Sequence, residues 1–254
     1  CKRRGGNARL HPKLHKGYRS LPSGTNKHAL KSETYRARHF GSGFTQGTNN
    51  SVMKKLGVII LNWNGEELLK KFIPQASEYT VSDEADLIVA DNGSSDNSLA
   101  WLAKNHPEVM TIRHDKNYGF SEGYNRAIKD AEYEYIVLLN SDVEVTPDWW
   151  KPMLSFMEKN PDAGAIQPKI LSFTEKNRFE YAGAAGGYLD SLGYPYCRGR
   201  LFDCIEEDNG QYDGAPADIC WASGACLMTR RELYLRLGGL DAGFFAHMEE
   251  IDLC

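Results

Sequence analysis

Short apolar runs rich in β-branched residues alternate with segments of helical spacing along this 254-residue chain, from residue 56 onward. Such runs are typical of strands that are buried on both faces. The alternation predicts right-handed βαβ units and an α/β fold with a mostly parallel sheet between helices. The predicted strands are LGVIILN (56–62), LIVA (87–90), VMTIRHD (109–115) and YIVLLN (135–140), and the predicted helices between them are 66–76, a segment that opens near Ser95, and 122–133.

Three of the predicted strands end in polar residues. Asn62 and Asn64 follow the first strand, the stretch 91–96 follows the second, and 140–142 follows the fourth. Ligands of open α/β sheets bind beyond the carboxyl ends of the strands. A single polar strand end is also ordinary turn chemistry, but three at one edge of one sheet favour a binding site.

The charge of the chain is divided unevenly. Residues 1–52 hold eleven Lys and Arg against one acid, and the remainder holds nineteen basic and thirty-three acidic residues. Because residues 1–52 have too little apolar surface to offset their ordering entropy, they are predicted to be disordered. The segment is interpreted as a non-native or upstream-derived extension, since Met53 looks like a natural start. A basic arm for nucleic acid or lipid, and a transit peptide, are the alternatives.

The sequence contains no apolar run of the roughly 18–20 residues that cross a bilayer, and no secretory leader is recognised. Its six cysteines form no C-x-x-C pair. That pattern predicts free thiols in a reducing compartment rather than a zinc site or a disulfide framework.

Beyond residue 150 the regular alternation stops. The stretch 175–218 is rich in Gly, Tyr and Asp, and it is too long for a routine connection, so it is interpreted as a functional or mobile loop region. The other predictions here are a helix within 146–160, a strand at 166–172, a strand within 218–230 and a helix that ends at Gly238-Gly239.

Asp91 is a candidate for nucleotide binding. A carboxylate directly after a strand can accept hydrogen bonds from a base N–H or from ribose hydroxyls. An Asx-turn and helix cap are the competing interpretation for the residues that follow it. The stretch NYGFSEGYN (117–125) matches neither G-x-G-x-x-G nor the P-loop. Gly119 and Gly123 would permit close backbone approach to a ligand, although turn glycines explain the spacing equally well, and Asn117 and Gly119 are taken as candidate binding residues.

Asn140, Ser141 and Asp142 are candidates for a cation–diphosphate site. Oxygen groups in a short turn can bind Mg²⁺ or Mn²⁺, which keep waters and take phosphate oxygens as further ligands. One carboxylate is too weak for an all-protein cage, so Asp142 predicts a site that a diphosphate completes. Near the chain end, Glu249, Glu250 and Asp252 follow an apolar stretch, where burial would raise a carboxylate pKa and suit a proton acceptor; a solvated surface cluster is the alternative.

Six stretches, in this order, resemble family-2 glycosyltransferases, in the branch of rhamnosyltransferase-like enzymes of bacterial cell-surface polysaccharides. They are VIILNWNG, VADNGSSDNS, NYGFSEGYNRAI, LLNSDVEVTPDWW, ASGACLMTRRELYLRLGGLDAGFF and MEEIDLC. The resemblance spans 57–254 and implies a GT-A type fold within 53–254. A Rossmann-like nucleotide-binding half, about 53–150, would merge with an acceptor-binding half, about 151–254. Because the family continues past this point, a truncated C-terminus is expected.

The resemblance also implies a chemistry. The donor would be a nucleotide-diphospho-sugar, linked to UDP or dTDP, with a divalent cation (Mg²⁺ or Mn²⁺) and inversion at the anomeric carbon. The acceptor would be a saccharide or a lipid-linked saccharide. No nucleic-acid partner is expected, and the expected location is cytoplasmic, with peripheral association at the inner face of a bacterial membrane.

Roles follow by motif position. Asp91 would contact the nucleotide base, with Asn62 and Asn64 lining that pocket. Asp142 would be the ligand of the metal and diphosphate, with Asn140 in place of the first acid of the Asp-x-Asp motif.

The remaining roles lie in the second half of the chain. Glu250 falls where the family places its catalytic base, which is usually Asp, while Trp221 and the stretch Ser223-Gly224-Ala225 would border the sugar and the acceptor. A sugar-nucleotide-binding module without turnover is the alternative. A nucleotidyltransferase or dehydrogenase is disfavoured because no dinucleotide or Walker fingerprint appears.

Overall fold

A computed structural model describes residues 8–16, 54–244 and 247–254 of the chain. Its central feature is a mixed sheet of eight strands with helices on both faces, and a second, smaller sheet stands beside it. The helices are α1 (Glu66–Thr80), α2 (Ser98–Asn105), α3 (Phe120–Asp130), α4 (Lys151–Lys159), α5 (Arg231–Leu237) and α6 (Glu249–Leu253). The strands are β1 (Ala8–Lys16), β2 (Leu56–Asn62), β3 (Ala85–Asp91), β4 (Met110–Arg113), β5 (Tyr135–Leu139), β6 (Val143–Glu144), β7 (Ala165–Ser172), β8 (Gly187–Leu189), β9 (Pro195–Cys197), β10 (Arg200–Leu201), β11 (Cys204–Ile205) and β12 (Cys226–Arg230).

The first half of the sheet is parallel, in the order β4-β3-β2-β5, which confirms the βαβ prediction. Successive residues of β2 alternate between two cores, because Val58 and Ile60 belong to one buried cluster and Ile59 belongs to the other. Apolar side chains on both faces explain why the strands appear in the sequence as unbroken apolar runs. The register sets Asn62 opposite Asp91, so the polar ends of β2 and β3 lie side by side.

The second half of the sheet is antiparallel around β12, which lies between β5 and β7. The strand predicted within 218–230 is wrong for 218–225. A turn occupies Ser223 to Cys226, where the Cys226 N–H donates to the Ser223 carbonyl at 3.1 Å, and only Cys226–Arg230 is extended. The predicted helix end at Gly238 is confirmed, because this residue has a φ of +96°, a left-handed conformation that suits glycine.

The region 175–218, expected to be a functional or mobile loop, contains the four-stranded antiparallel sheet β8–β11. A buried ion-pair cluster fastens it to the main sheet. The Lys169 ammonium on β7 is fully buried and pairs with the carboxylates of Asp208 and Asp213, the latter at 2.9 Å. The wall that this small sheet forms is therefore attached to the core.

Helix α2 begins at Ser98 rather than near Ser95. The Asp96 carboxylate accepts hydrogen bonds from the Ser98 N–H at 3.1 Å and from the Glu66 N–H at 3.0 Å. Since Asp96 serves the first turns of both α1 and α2, it takes the capping role that the sequence suggested for Ser95.

Within residues 1–52, where disorder is expected, Ala8–Lys16 form β1 and pair antiparallel with β7. Ladder hydrogen bonds come from the backbone and require no apolar side chains. The rest of that segment lies outside the described residues. No helix in the described part of the chain is long and apolar enough to cross a membrane, and the five cysteines described there are free.

Candidate active site

Asn62 and Asp91 form the centre of the polar edge. The Asn62 amide donates to Asp91 Oδ1 at 3.0 Å, and the Ser94 N–H donates to Asp91 Oδ2 at 3.0 Å. Asp91 is 3% exposed, and Asn62 Oδ1 is buried with no partner among the described residues. The Asn62 oxygen faces Gly65, where a Cβ would stand 2.4 Å from it, so a glycine is needed beside this side chain.

The two loops beyond β2 and β3 hold each other. The Asn64 N–H donates to Ser94 Oγ at 2.9 Å, and the Ser95 N–H donates to Asn64 Oδ1 at 2.8 Å. Asn64 itself is exposed and has a φ of +50°. The structure therefore brings together Asn62, Asn64 and Asp91, as the sequence predicts, and gives Asn64 a role in joining the loops.

Asn92 connects this edge to the start of α3. Its amide donates to Asn117 Oδ1 and to the Gly119 carbonyl, each at 2.9 Å, and its oxygen accepts from the Tyr118 N–H at 3.0 Å. Asn117 and Gly119 are exposed, and a Cβ on Gly119 would meet no atom within 4 Å, although its φ of +81° favours glycine. The loop is fastened and open to solvent, which leaves its backbone accessible to a ligand.

Asn140, Ser141 and Asp142 follow β5 in a turn, half-buried, with the Asn140 N–H donating to the Ala225 carbonyl at 3.1 Å. Burial raises the pKa of Asp142, an effect that the turn's own backbone N–H and the ammonium of Lys71 oppose. The hydrogen bond to Ala225 brings the predicted diphosphate ligand next to the turn that contains Gly224.

Glu250 lies on the other side of that turn. A Cβ on Gly224 would be 3.8 Å from Glu250 Cβ and Cδ, and the Gly224 N–H hydrogen-bonds the carboxylate. Burial raises the pKa of Glu250, and the neighbouring Glu249 raises it further, whereas His247 lowers it. A half-buried carboxylate of raised pKa beside Gly224 has the chemistry that a proton acceptor requires.

Sequence reasoning missed Glu180. Burial raises the pKa of this carboxylate, and both the Asp142 carboxylate and the Arg200 guanidinium act on it. Glu180 and Glu250 both raise the pKa of the Cys197 thiol, which burial raises most. The signal in the sequence is a lone acid after buried Phe179 within a poorly periodic stretch, and no motif marks it.

Trp221 is 4% exposed and its indole N–H donates to the Tyr188 carbonyl at 3.1 Å. The ring lies against Gly187, where a Cβ would stand 1.9 Å from the indole. Trp221 thus joins the buried core between the small sheet and the 223–226 turn. It supports the wall beside Gly224, and protein covers most of its own ring.

Few side chains at the end of β5 could bind a divalent cation. In the described ranges no three His, Cys, Asp or Glu side chains converge as a metal cage. Asp142 with the amide oxygen of Asn140 fits the pattern of Mg²⁺ or Mn²⁺ sites in which phosphate oxygens and waters supply the other ligands.

The known proteins to which this chain is similar in sequence include glycosyltransferases. The family model "Glycosyl transferase family 2" matches residues 57–235. N-acetylglucosaminyl-diphospho-decaprenol L-rhamnosyltransferase of Mycobacterium tuberculosis is 26% identical over 213 residues, covering 78% of this chain and 68% of the relative. A low-salt glycan biosynthesis hexosyltransferase of Haloferax volcanii is 25% identical over 209 residues, covering 80% of this chain and 62% of the relative.

Two solved structures share the fold. A mannosyltransferase from Pyrobaculum calidifontis, in complex with GDP-Man and Mn²⁺, has a TM-score of 0.50 at 15% identity and covers 80% of this chain. GalNAc-T7 with UDP, GalNAc and Mn²⁺ has a TM-score of 0.56 at 14% identity and covers 79% of this chain. This chain spans 51% and 40% of the length of those two proteins. The likeness shows a GT-A type fold.

Proposed function

The chain belongs to glycosyl transferase family 2, and on that premise we propose that it transfers a sugar, with inversion, from a nucleotide-diphospho-sugar to a hydroxyl of a lipid-linked or polysaccharide acceptor. One observation carries the proposal. The ends of β2, β3 and β5 lie side by side in the sheet, the end of β5 is hydrogen-bonded to the 223–226 turn at Ala225, and Glu250 lies beside Gly224 in that turn.

The first half of the site binds the donor. Asp91 receives hydrogen-bond donors of the nucleotide base, and Asn62 and Asn64 line the pocket beside it. Asn117 and Gly119 border the nucleotide through exposed backbone, and Ser141 lies between the two candidate diphosphate ligands, Asn140 and Asp142. A divalent cation held at Asp142 would offset the negative charge that builds on the departing diphosphate.

The second half performs the proton transfer. Glu250 accepts the proton of the acceptor hydroxyl while that oxygen attacks the anomeric carbon from the face opposite the leaving diphosphate. The new glycosidic bond forms as the bond from the anomeric carbon to the phosphate oxygen breaks, and the nucleoside diphosphate leaves. Gly224 keeps the approach to Glu250 open, since any side chain there would point at the carboxylate.

The donor is a UDP- or dTDP-sugar in this proposal, and the acceptor lies at the inner face of a bacterial membrane, where the protein associates peripherally. The support is the relative from M. tuberculosis, whose name describes a diphospho-decaprenol acceptor and rhamnosyl transfer. That protein and this chain are 26% identical, so the donor and acceptor require direct measurement.

A thermal-shift panel of UDP-, dTDP- and GDP-sugars, each with and without Mn²⁺ or Mg²⁺, tests the donor site. We expect cation-dependent stabilisation by at least one donor, and no response to any nucleotide would contradict the proposal. Asp142→Asn should remove the cation dependence, whereas Asn140→Asp, which adds a second carboxylate, should strengthen it. Asp162→Asn, at an exposed position, is the matched control.

A further inference from the structure

The two edges of the proposed site separate where β2 and β5 stop pairing. The last paired residues of these neighbouring strands are Ile60 and Leu139. Beyond that pair, β2 continues for two more residues in register with β3, whereas the Asn140 N–H donates to the Ala225 carbonyl at 3.1 Å. The end of β2 is thus attached to β3 on one side, and the end of β5 is attached to the 223–226 turn on the other.

The order of the strands reverses at the same place. From β2 the chain runs to β3 and then to β4 on one side, and it returns to β5 on the opposite side of β2. Ligands of open α/β sheets bind in the crevice beyond such a reversal. In the proposed function the nucleotide base lies at Asp91 on one side of this crevice, and the diphosphate lies at Asp142 on the other. A nucleoside diphosphate must therefore reach across the gap between the ends of β2 and β5.

The hydroxyl of Tyr124 connects the two strands at their last pair. It accepts from the Leu61 N–H at 3.4 Å and donates to the Leu139 carbonyl at 2.9 Å. Leu61 directly precedes Asn62, at the base edge. Leu139 directly precedes Asn140, at the start of the diphosphate turn, so one hydroxyl contacts the backbone next to each edge of the site. Burial raises the pKa of Tyr124, so the hydroxyl keeps its proton and donates at neutral pH.

Packing fixes the ring of Tyr124 in place. The ring is fully buried, and the ring of Phe120 meets it edge-on with the centroids 4.9 Å apart. Helix α3 also lies close to β2 at this point, since a Cβ on Gly123 would stand 2.9 Å from Leu61 Cδ2. The hydroxyl therefore has a defined position between the strands.

Resting on the proposed function, we infer that Tyr124 is a positioning residue, which sets the distance between the base edge and the diphosphate turn for a bound nucleoside diphosphate. Because the hydroxyl is buried, it acts through Leu61 and Leu139 rather than on the ligand. Without it, the ends of β2 and β5 lose a shared hydrogen-bond partner. A ligand that binds both edges at once depends on their spacing, since a small displacement weakens several contacts together. A ligand that binds one edge alone does not depend on it.

Tyr234 provides a matched control. Its hydroxyl is also buried, accepts from the Leu240 N–H at 3.3 Å and donates to Asn125 Oδ1 at 2.6 Å. Tyr234→Phe therefore removes the same group from the same kind of contact, but between α5 and α3 rather than between β2 and β5. A loss of stability that is common to buried tyrosine hydroxyls appears in both variants.

The test compares ligands that contact one edge with ligands that contact both. The probes, in Mn²⁺, are uridine against UDP, thymidine against dTDP and guanosine against GDP, titrated by ligand-observed NMR and calorimetry below the melting temperature of every variant. The wild type should bind at least one nucleoside diphosphate more tightly than its nucleoside. Tyr124→Phe should weaken that diphosphate by about 10-fold, the equivalent of one lost hydrogen bond, and leave the nucleoside within about twofold. Tyr234→Phe should leave both affinities close to those of the wild type.

A second variant covers the case in which Tyr124→Phe does not fold. The side chain of 4-aminophenylalanine at position 124 keeps the shape of tyrosine and a donor for Leu139, but its amine is a poor acceptor for the Leu61 N–H. This variant should change the ratio of the two affinities in the same direction as Tyr124→Phe, by a smaller factor. A ratio equal to that of the wild type would overturn the positioning role.

The outcomes separate this inference from the function on which it rests. Wild-type protein that binds no diphosphate more tightly than its nucleoside overturns both. If the wild type prefers a diphosphate and Tyr124→Phe keeps the wild-type ratio of affinities, only the positioning role is overturned. Equal weakening of nucleoside and diphosphate in Tyr124→Phe, or the same change of ratio in Tyr234→Phe, also overturns that role alone.

Discussion

The amide of Asn62 and the carboxylate of Asp91 meet at 3.0 Å across the ends of two parallel strands. Asn62 uses its N–H groups on Asp91 and on the hydroxyls of Ser94 and Ser98, at 3.2 Å and 3.1 Å. This orientation leaves the amide oxygen without a donor among the described residues. The hydrogen bonds fix both side chains at the edge of the sheet, where our proposal places the nucleotide base.

Asp91→Asn should weaken nucleotide binding by about 10-fold, because a neutral amide replaces the charged acceptor. The new side chain keeps an oxygen for the Asn62 amide but sets its NH2 against the Ser94 N–H, so the free energy of unfolding should also fall, by about 1–3 kcal/mol. Calorimetry with UDP and Mn²⁺ measures the affinity, and urea unfolding measures the stability. Asp83→Asn, at an exposed position before β3, is the control. Unchanged UDP affinity in Asp91→Asn would exclude Asp91 from base recognition.

Glu250→Gln should lower the turnover number for sugar transfer by about 10²- to 10⁴-fold, the range that general-base catalysis contributes. Donor affinity should stay close to wild type, because Gln keeps the size and the contact with Gly224. Steady-state transfer with the donor found in the panel measures the effect. Asp252→Asn, exposed on the same helix, should transfer normally. Undiminished transfer by Glu250→Gln would remove Glu250 as the base.

The pH dependence of transfer should have an acid limb set by Glu250. The base must be ionised, and burial raises its pKa from the ordinary value of 4.5. As pH falls through the raised pKa, the carboxylate takes a proton and kcat/KM falls. The imidazole of His247 lowers the pKa of Glu250, so the variant His247→Ala should move the acid limb of the pH profile to higher pH. A limb that keeps its position in His247→Ala would argue against this coupling.

Asp142→Asn should be more stable than wild type at pH 7. Burial raises the pKa of Asp142 from 3.8, so the folded protein holds this proton to higher pH than the unfolded chain does. Stability contributed by the protonated group is full below the unfolded pKa and is lost as pH rises through the folded pKa. The gain in melting temperature of Asp142→Asn should therefore shrink as pH falls toward 3.8. A gain that is the same at all pH values would contradict this origin.

Gly187→Ala should destabilise the fold by about 1–3 kcal/mol, the usual cost of overpacking. A Cβ at this position would stand 1.9 Å from the indole of Trp221, which is buried and hydrogen-bonded to Tyr188. Gly214→Ala is the matched control, because a Cβ there meets no atom within 4 Å. Denaturant midpoints of the two variants measure the difference, and equal midpoints would mean that Trp221 shifts freely.

The parallel half of the fold was predictable because its signals are local. Each of the strands β2, β3 and β5 is a run of buried residues that a polar turn closes, and parallel connection then brings Asn62, Asp91 and Asp142 to one edge. The second half of the chain lacks such signals. Strands β10 and β11 have two residues each, which is too short to show a period of two.

Glu180 could not be found in the sequence for a related reason. Burial raises the pKa of Glu180, and two groups that also act on that pKa lie far away in the sequence: Asp142 is 38 positions earlier and Arg200 is 20 positions later. The strand predicted for 218–225 is wrong because Ser223 and Gly224 form a turn within a run whose apolar content suggests a strand. Trp221, in the same run, has an aromatic ring of the kind that stacks against ligands, but tertiary packing buries it.

The ion-pair cluster of Lys169 with Asp208 and Asp213 has a consequence for how the region 175–218 is attached to the main sheet. Backbone hydrogen bonds also join this region to the rest of the fold, for example from the Glu180 N–H to the Ile170 carbonyl. Without the buried ammonium of Lys169, the carboxylates of Asp208 and Asp213 would lose their shared counter-charge and repel each other. The position of this region on the sheet therefore depends on charge balance at a single buried amine.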